Sequence, residues 1–209
     1  ELQSDAALTY SDPGHGSTFR LHNAGTLRKS GGAGVNAFAS QCGFINTGTI
    51  ELQQGGLRFP NGLTSSGRFE LAEGTVVHLD GGTFTFGDGS VKTGTGRLLV
   101  DDGTVILQGS VPGLDWTGGV VANSRFTVGT NAVLSLSGAG EKGLVHSVVN
   151  NAGTMVWTGT GPLIAQVTGA GQSVLITNLA GGLMELQSDA ALTYSDPGHG
   201  STFRLHNAG

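Results

Sequence analysis

Residues 1–25 read ELQSDAALTYSDPGHGSTFRLHNAG, and the same stretch recurs unchanged at 185–209. A recurrence this exact sets a long period of about 184 residues, and a repeat, once found, dictates the architecture to be considered first. The chain starts at Glu1 without an initiator Met and breaks off inside the motif, so it reads as one full period plus an overlap, a window on a longer array.

A looser period lies inside the long one. GTIEL (48–52), GTVVHL (74–79), GTVILQ (103–108), NAVLSL (131–136), GTMVW (153–157) and GGLMEL (181–186) each place a Gly- or Asn-type turn before an apolar, variable, apolar triplet. Their first apolar residues, with Leu27 added, are Leu27, Ile50, Val77, Val105, Leu134, Met155 and Met184, a mean spacing of about 26. Two positions further on stand Leu52, Leu79, Leu107, Leu136, Trp157 and Leu186, with Lys29 as the one polar residue in the column. Alternation with a period of two is the strand signature, because successive side chains leave a strand on opposite faces. Further triplets, including Leu57-Arg58-Phe59, Phe84-Thr85-Phe86, Phe19-Arg20-Leu21 and Phe126-Thr127-Val128, give about three short strands per unit, separated by Gly, Asn, Asp and Ser turns.

One such unit cannot bury its apolar face alone, whereas stacked units bury a continuous core and pair backbone with the units above and below. The expectation is an all-β parallel solenoid over 1–209, with about three strands and about 26 residues per coil. Seven coils then fill the long period, about 34 Å of axial rise at the usual strand spacing.

Composition excludes several alternatives. The chain has 38 glycines with no every-third-residue period, so it is not collagen-like, and its apolar content of 37% argues against disorder. Ten basic residues against fifteen acidic ones leave nucleic acid no basic patch to bind. No apolar run is long enough for a membrane-spanning helix. One cysteine makes neither a disulfide framework nor a thiolate zinc site.

The turn sequence Asn-x-Gly-Thr at 23–26, 46–49 and 151–154, which at Ile50 to Leu52 continues as apolar-x-Leu, resembles the repeat arrays of bacterial surface β-solenoids of the filamentous-haemagglutinin and autotransporter-passenger type. That resemblance implies an extracellular or cell-surface location and a role in adhesion or scaffolding. Its partners would be further copies of the repeat, stacked end to end or associated laterally into fibres.

Residues that could carry chemistry each have a plainer reading. Gly138-Ala139-Gly140-Glu141-Lys142-Gly143 fits GxGxxG but opens no helix, so it reads as a bend. Gly31 to Ala39 looks like one calcium-binding nonapeptide of the RTX type, yet such sites need tandem copies. His15, His22, His78 and His146 fit no metal-ligand spacing. Asp101 and Asp102 adjoin, but neighbours on a strand diverge, so they read as turn residues and not as an acid/base pair. Cys42 aligns with Phe19 and reads as buried and inert. Trp116 is the candidate exposed aromatic for sugar or protein contact, with packing against the coil as the simpler alternative. No catalytic, cofactor-binding or metal-ligating residue is assigned. A structural module forming a fibre, stalk or sheath is the first expectation. An adhesin using loops 28–43 and 109–119 is the second, and a polysaccharide-processing enzyme the third. Register is expected to be guarded by a stack of outward charges at Glu1, Arg28, Glu51 and His78.

Overall fold

The computed structural model describes residues 1–10, 19–111 and 113–208. His15 and Pro112 lie outside them. Every element among the described residues is a strand, and every strand pairing is parallel.

The chain winds through three faces per coil. Leu2, Leu8 and β1 (Phe19–Asn23) begin the stack. The next coils are β2 (Thr26–Lys29), β3 (Val35–Ala37) and β4 (Cys42–Asn46), then β5 (Thr49–Leu52), β6 (Gly56–Arg58) and β7 (Leu63–Ser65). After β8 (Arg68–Leu71), β9 (Val76–Leu79) and β10 (Thr83–Phe86) come β11 (Val91–Thr93), β12 (Arg97–Val100) and β13 (Thr104–Val111). β14 (Leu114–Trp116) and β15 (Gly119–Ala122) lead to β16 (Arg125–Val128), β17 (Val133–Leu136) and β18 (Lys142–Val145). The last are β19 (Val148–Asn151), β20 (Thr154–Trp157), β21 (Leu163–Gln166), β22 (Ser173–Asn178), β23 (Leu183–Leu186), β24 (Leu192–Ser195) and β25 (Thr202–Asn207).

The first face carries β2, β5, β8 and β11, and continues with the far half of β13, β16, β19, β22 and β25. The second carries β3, β6, β9, β12, β14, β17, β20 and β23. The third carries β1, β4, β7, β10, the near half of β13, β15, β18, β21 and β24.

Inward residues alternate with outward ones and fill one core, in which Ile50, Leu57, Phe69, Val77, Phe84, Leu98 and Val105 are fully buried. Phe38, Phe44 and Phe59 cluster there with ring centroids 4.8–5.0 Å apart. The turns are tight enough to need glycine. At Gly62 (φ 85°) a Cβ would run into the Thr83 carbonyl of the next coil, a backbone approach that only a bare Cα allows.

The solenoid and its three strands per coil are as the sequence reads, but the coil is shorter than its anchor spacing implied. Paired positions most often lie about 21 residues apart, one stacked unit of the array. Leu99 with Asp115 and Thr104 with Val120 are among the pairs closest in sequence, and Leu163 with Leu192 is among the most distant. Seven turns separate β2 from β22. The longer spacing arose because the anchor triplets do not form one column. Leu27 and Ile50 stand on the first face, Val77, Leu134, Met155 and Met184 on the second, and Val105 on the third. Ile50 is stacked on Phe69, not Val77. Likewise, Asn-x-Gly-Thr does not mark a single corner: at 23–26 and 46–49 it turns from third face to first, at 151–154 from first to second. Any three-sided coil has chemically similar corners, so sequence spacing alone does not tell them apart.

The charge stack holds in part. Leu2 bridges Lys29, which sets Glu1 beside Arg28, and Arg28 Nε lies 2.7 Å from Glu51 Oε2. The next member is Glu70, a like charge beside Glu51, while His78 stands on the second face beside Arg58. Arg68, 3.8 Å from Glu70, supplies the compensating charge.

Candidate functional site

Among the described residues, the first-face ladder is interrupted at a seam between β11 and β13. The coil above β12 is cut short, and the chain swings directly from third face to first at Gly109, whose φ of 72° fits glycine. β11 therefore pairs only downward with β8, and the far half of β13 only upward with β16. A cleft of about 520 Å³ opens between these two unpaired edges.

Its lining includes Lys92, Arg97, Ser110, Asp115, Thr130 and Asn131. Lys92 is paired with Phe69 and so occupies the inward column of Leu27, Ile50 and Phe69. An ammonium in that column has no apolar role, and among the described residues its Nζ reaches only the Gly94 carbonyl at 3.4 Å. Burial draws the Lys92 pKa below its ordinary value. Arg97 Nε donates to Asp115 Oδ2 at 2.9 Å between adjacent coils of the second face. The seam thus offers a cation, an ion pair, hydroxyls and open strand edges to a polar ligand. The two signals for it, a Lys in an apolar column and a short coil, were present in SVKTGTGR (90–97) and QGSVPG (108–113) but could be read only once the true coil length was known.

Other singled-out residues fall elsewhere. Trp116 is buried, with Nε1 donating to the Gly119 carbonyl at 3.3 Å, so it is not the exposed aromatic that the adhesin expectation needed. The described parts of 28–43 and 109–119 are largely coil wall, because β2, β3, β13 and β14 run through them. Cys42 stacks on Phe19 as aligned and is buried, which raises its thiol pKa. Asn36, within the Gly31 to Ala39 stretch that looks like a calcium-binding nonapeptide, points inward and its Oδ1 accepts a hydrogen bond from Lys29 Nζ at 2.6 Å. The same ammonium donates to Asp5 Oδ1 at 2.8 Å, which explains how Lys29 fits a leucine column while fully buried. Gly138 to Gly143 leads into β18, and there Lys142 is buried with its Nζ donating to the Gly140 carbonyl at 2.8 Å.

The histidines are scattered: His22 hydrogen-bonds Thr47 Oγ1 at 3.0 Å, and His146 holds a positive φ of 43° at a corner. Asp102 Oδ1 accepts from the Gly103 amide at 2.8 Å, a turn role. Asp101 has a neighbour that adjacency in sequence did not indicate. Leu79 pairs with Val100, so Asp80 stacks directly on Asp101 one coil away. Arg58 Nε holds Asp80 Oδ2 at 2.7 Å, while burial and the Asp80 charge push the Asp101 pKa up. Neither carboxylate lines the seam cleft.

A comparison of the chain with family models, curated proteins and solved structures gives no match in any of the three.

Proposed function

We propose that the chain is a structural module of a long repeat protein, secreted or held at the cell surface, whose stacked coils build a fibre, stalk or sheath. The observation that carries this reading is that the described residues of the identical segment pair in parallel with a neighbouring coil on all three faces in both of its positions. A coil that accepts neighbours of the same fold in two places is a unit of propagation, since solenoid stability is built from nearest-neighbour interfaces. The Asn-x-Gly-Thr resemblance supports placement outside the cell. The proposal gives the chain no catalytic residue.

Small-angle scattering and electron microscopy of a chain lengthened by one further long period test it. A single continuous rod is the expected result; two beads joined by a linker would overturn the reading.

Ligand binding on the rod is the second reading, and the Lys92 ammonium in the seam cleft is the observation that favours it. Titration with acidic and neutral oligosaccharides, followed by NMR, should shift Lys92, Ser110 and Thr130 together. Unshifted resonances for all three would remove it.

A further inference from the structure

The two copies of the repeated segment display opposite edges of one and the same coil. In the first copy the upper edge is covered. Leu2 bridges Lys29, Leu8 bridges Phe38, and Phe19–Asn23 pairs with Cys42–Asn46. Side chains reinforce this junction: Asp5 accepts from Lys29 Nζ, and the Ser4 and Ala6 carbonyls accept from Asn36 Nδ2 at 2.8 and 2.7 Å. In the second copy the lower edge is covered, with Leu186 on Trp157, Leu192 on Leu163 and Asn207 on Asn178.

The asparagines make the complementarity chemical. Asn151 Nδ2 donates to Asn178 Oδ1 at 2.7 Å, and Asn178 Nδ2 to Asn207 Oδ1 at 2.8 Å. Asn23, the counterpart of Asn207, donates from Nδ2 to Asn46 Oδ1 at 2.8 Å, and Asn46 Nδ2 reaches Ser65 Oγ at 3.1 Å. Both ladders run in the same donor-to-acceptor direction and share one member of the repeat. They are two halves of a single ladder. On the second copy, meanwhile, Leu186, Leu192, Tyr194 and Leu205 are exposed, and Asp189, the counterpart of Asp5, is exposed as well.

We infer that coil 185–208 receives on its open edge a coil with the sequence of residues 26–46 from a following unit, set one face further round the axis. This rests on the array reading and adds its symmetry. Leu2 and Leu8 lie on the first and second faces and β1 on the third. Their counterparts Leu186, Leu192 and β25 lie on the second, third and first. Between Leu2 and Leu186 the chain completes eight circuits and one further side. The long repeat is therefore not a whole number of coils. It advances by eight and one third, a rise of about 40 Å at the usual strand spacing, and not the shorter rise of seven coils. Successive units turn by a third of a circle, and identical surfaces, the seam cleft among them, face three directions in turn and return to the same side after about 120 Å.

The offset is testable in the chain of residues 1–209, in a Cys42→Ala background. Parallel neighbours lie within disulfide reach. Leu175→Cys with Arg204→Cys should therefore close a disulfide on the first face, and Arg20→Cys with Gly43→Cys one on the third. Failure of the Leu175/Arg204 pair to close, while the other closes, would overturn the inference.

A chain of four or more units carrying gold at Thr64→Cys in each tests the consequence. Thr64 is exposed on the third face, and a second sample labelled at Ile164→Cys, five coils further along that face, gives the twist to be subtracted. Marks on one side should recur at about 120 Å, with those between turned by a third, and unlabelled fibres should give layer lines indexing on about 120 Å. A straight line of marks every unit, about 40 Å apart, would refute the offset and leave the array standing. Beads in place of a rod would refute the array, and the offset with it.

Discussion

Asn46 is fully buried at the corner between the third and first faces, where it accepts from Asn23 Nδ2 at 2.8 Å and donates to Ser65 Oγ at 3.1 Å. Asn46→Ala removes both bonds and leaves a gap in the ladder. Each buried hydrogen bond contributes about 0.5–1.5 kcal/mol net, so the expected cost is about 1–3 kcal/mol. Asn23 keeps its second bond to the Thr49 carbonyl at 2.9 Å, and Ser65 Oγ still accepts from the Gly67 amide at 3.2 Å, so neither partner adds the penalty of a stranded group. Because a solenoid opens in local units, the loss should register first in the coils it joins. A central cost of about 2 kcal/mol raises the opening equilibrium about 30-fold. Hydrogen exchange of the β4, β5 and β7 amides measures that directly, with exposed Thr64→Ala as a control expected to stay within about 0.5 kcal/mol of wild type. Asn23→Ala combined with Asn46→Ala should cost less than the sum of the two, since they share a bond. Protection unchanged in Asn46→Ala, or strict additivity in the pair, would refute the idea that the amide ladder holds the corner.

Four further outcomes are expected. Lys29→Met should lower the urea midpoint at neutral pH, because the buried Asn36 Oδ1 loses its donor and Asp5 its ion partner while both stay in place. A hydrogen bond from Lys29 holds the Asp5 carboxyl below its ordinary 3.8, so that stabilisation is complete above 3.8 and lost as pH falls through the depressed value; wild type should therefore lose more stability than Lys29→Met in that acid range. Asp101→Asn should raise the midpoint at pH 7 by removing a carboxylate disfavoured by partial desolvation and by Asp80, and the advantage should shrink as acid protonates Asp101 in wild type. Cys42 should resist iodoacetamide in the native state and react on unfolding, by mass spectrometry; rapid native alkylation would contradict its burial. Trp116 and Trp157, both buried, should give blue-shifted fluorescence that iodide quenches weakly, and strong quenching would place one of them outside the core.

Strand periodicity and the need to stack were legible because they are local. Leu-x-Leu triplets alternate at a period of two, and Gly-rich turns punctuate them whichever face they serve. The pairing of Phe19 with Cys42 and of Arg28 with Glu51 could be read for the same reason, since both span a single ordinary coil. Face assignment was not legible. Val77 and Ile50 carry the same triplet yet lie on different faces, and the intervening strands at Leu57 and Phe69 look no different from anchors. The seam was hidden by the same ambiguity, because a shortened coil is abnormal only against a known coil length. Contacts across coils, such as Asp80 on Asp101 or Lys29 on Asp5, depend on that length and appear only with it.

The ambiguity is also what permits the repeated segment to sit on different faces. A strand in this stack is specified by the coils above and below it, through ladder bonds, inward columns and the corner asparagines, and none of these depends on which of three faces it occupies. Residues 19–23 and 203–207 are identical, lie on the third and first faces, and in both places end in an asparagine bonded to an asparagine one coil away. A sequence that encodes neighbours and not orientation is free to repeat at a non-integral number of turns. In the proposed array, this offset would give the surface of the rod a threefold screw that no single residue encodes.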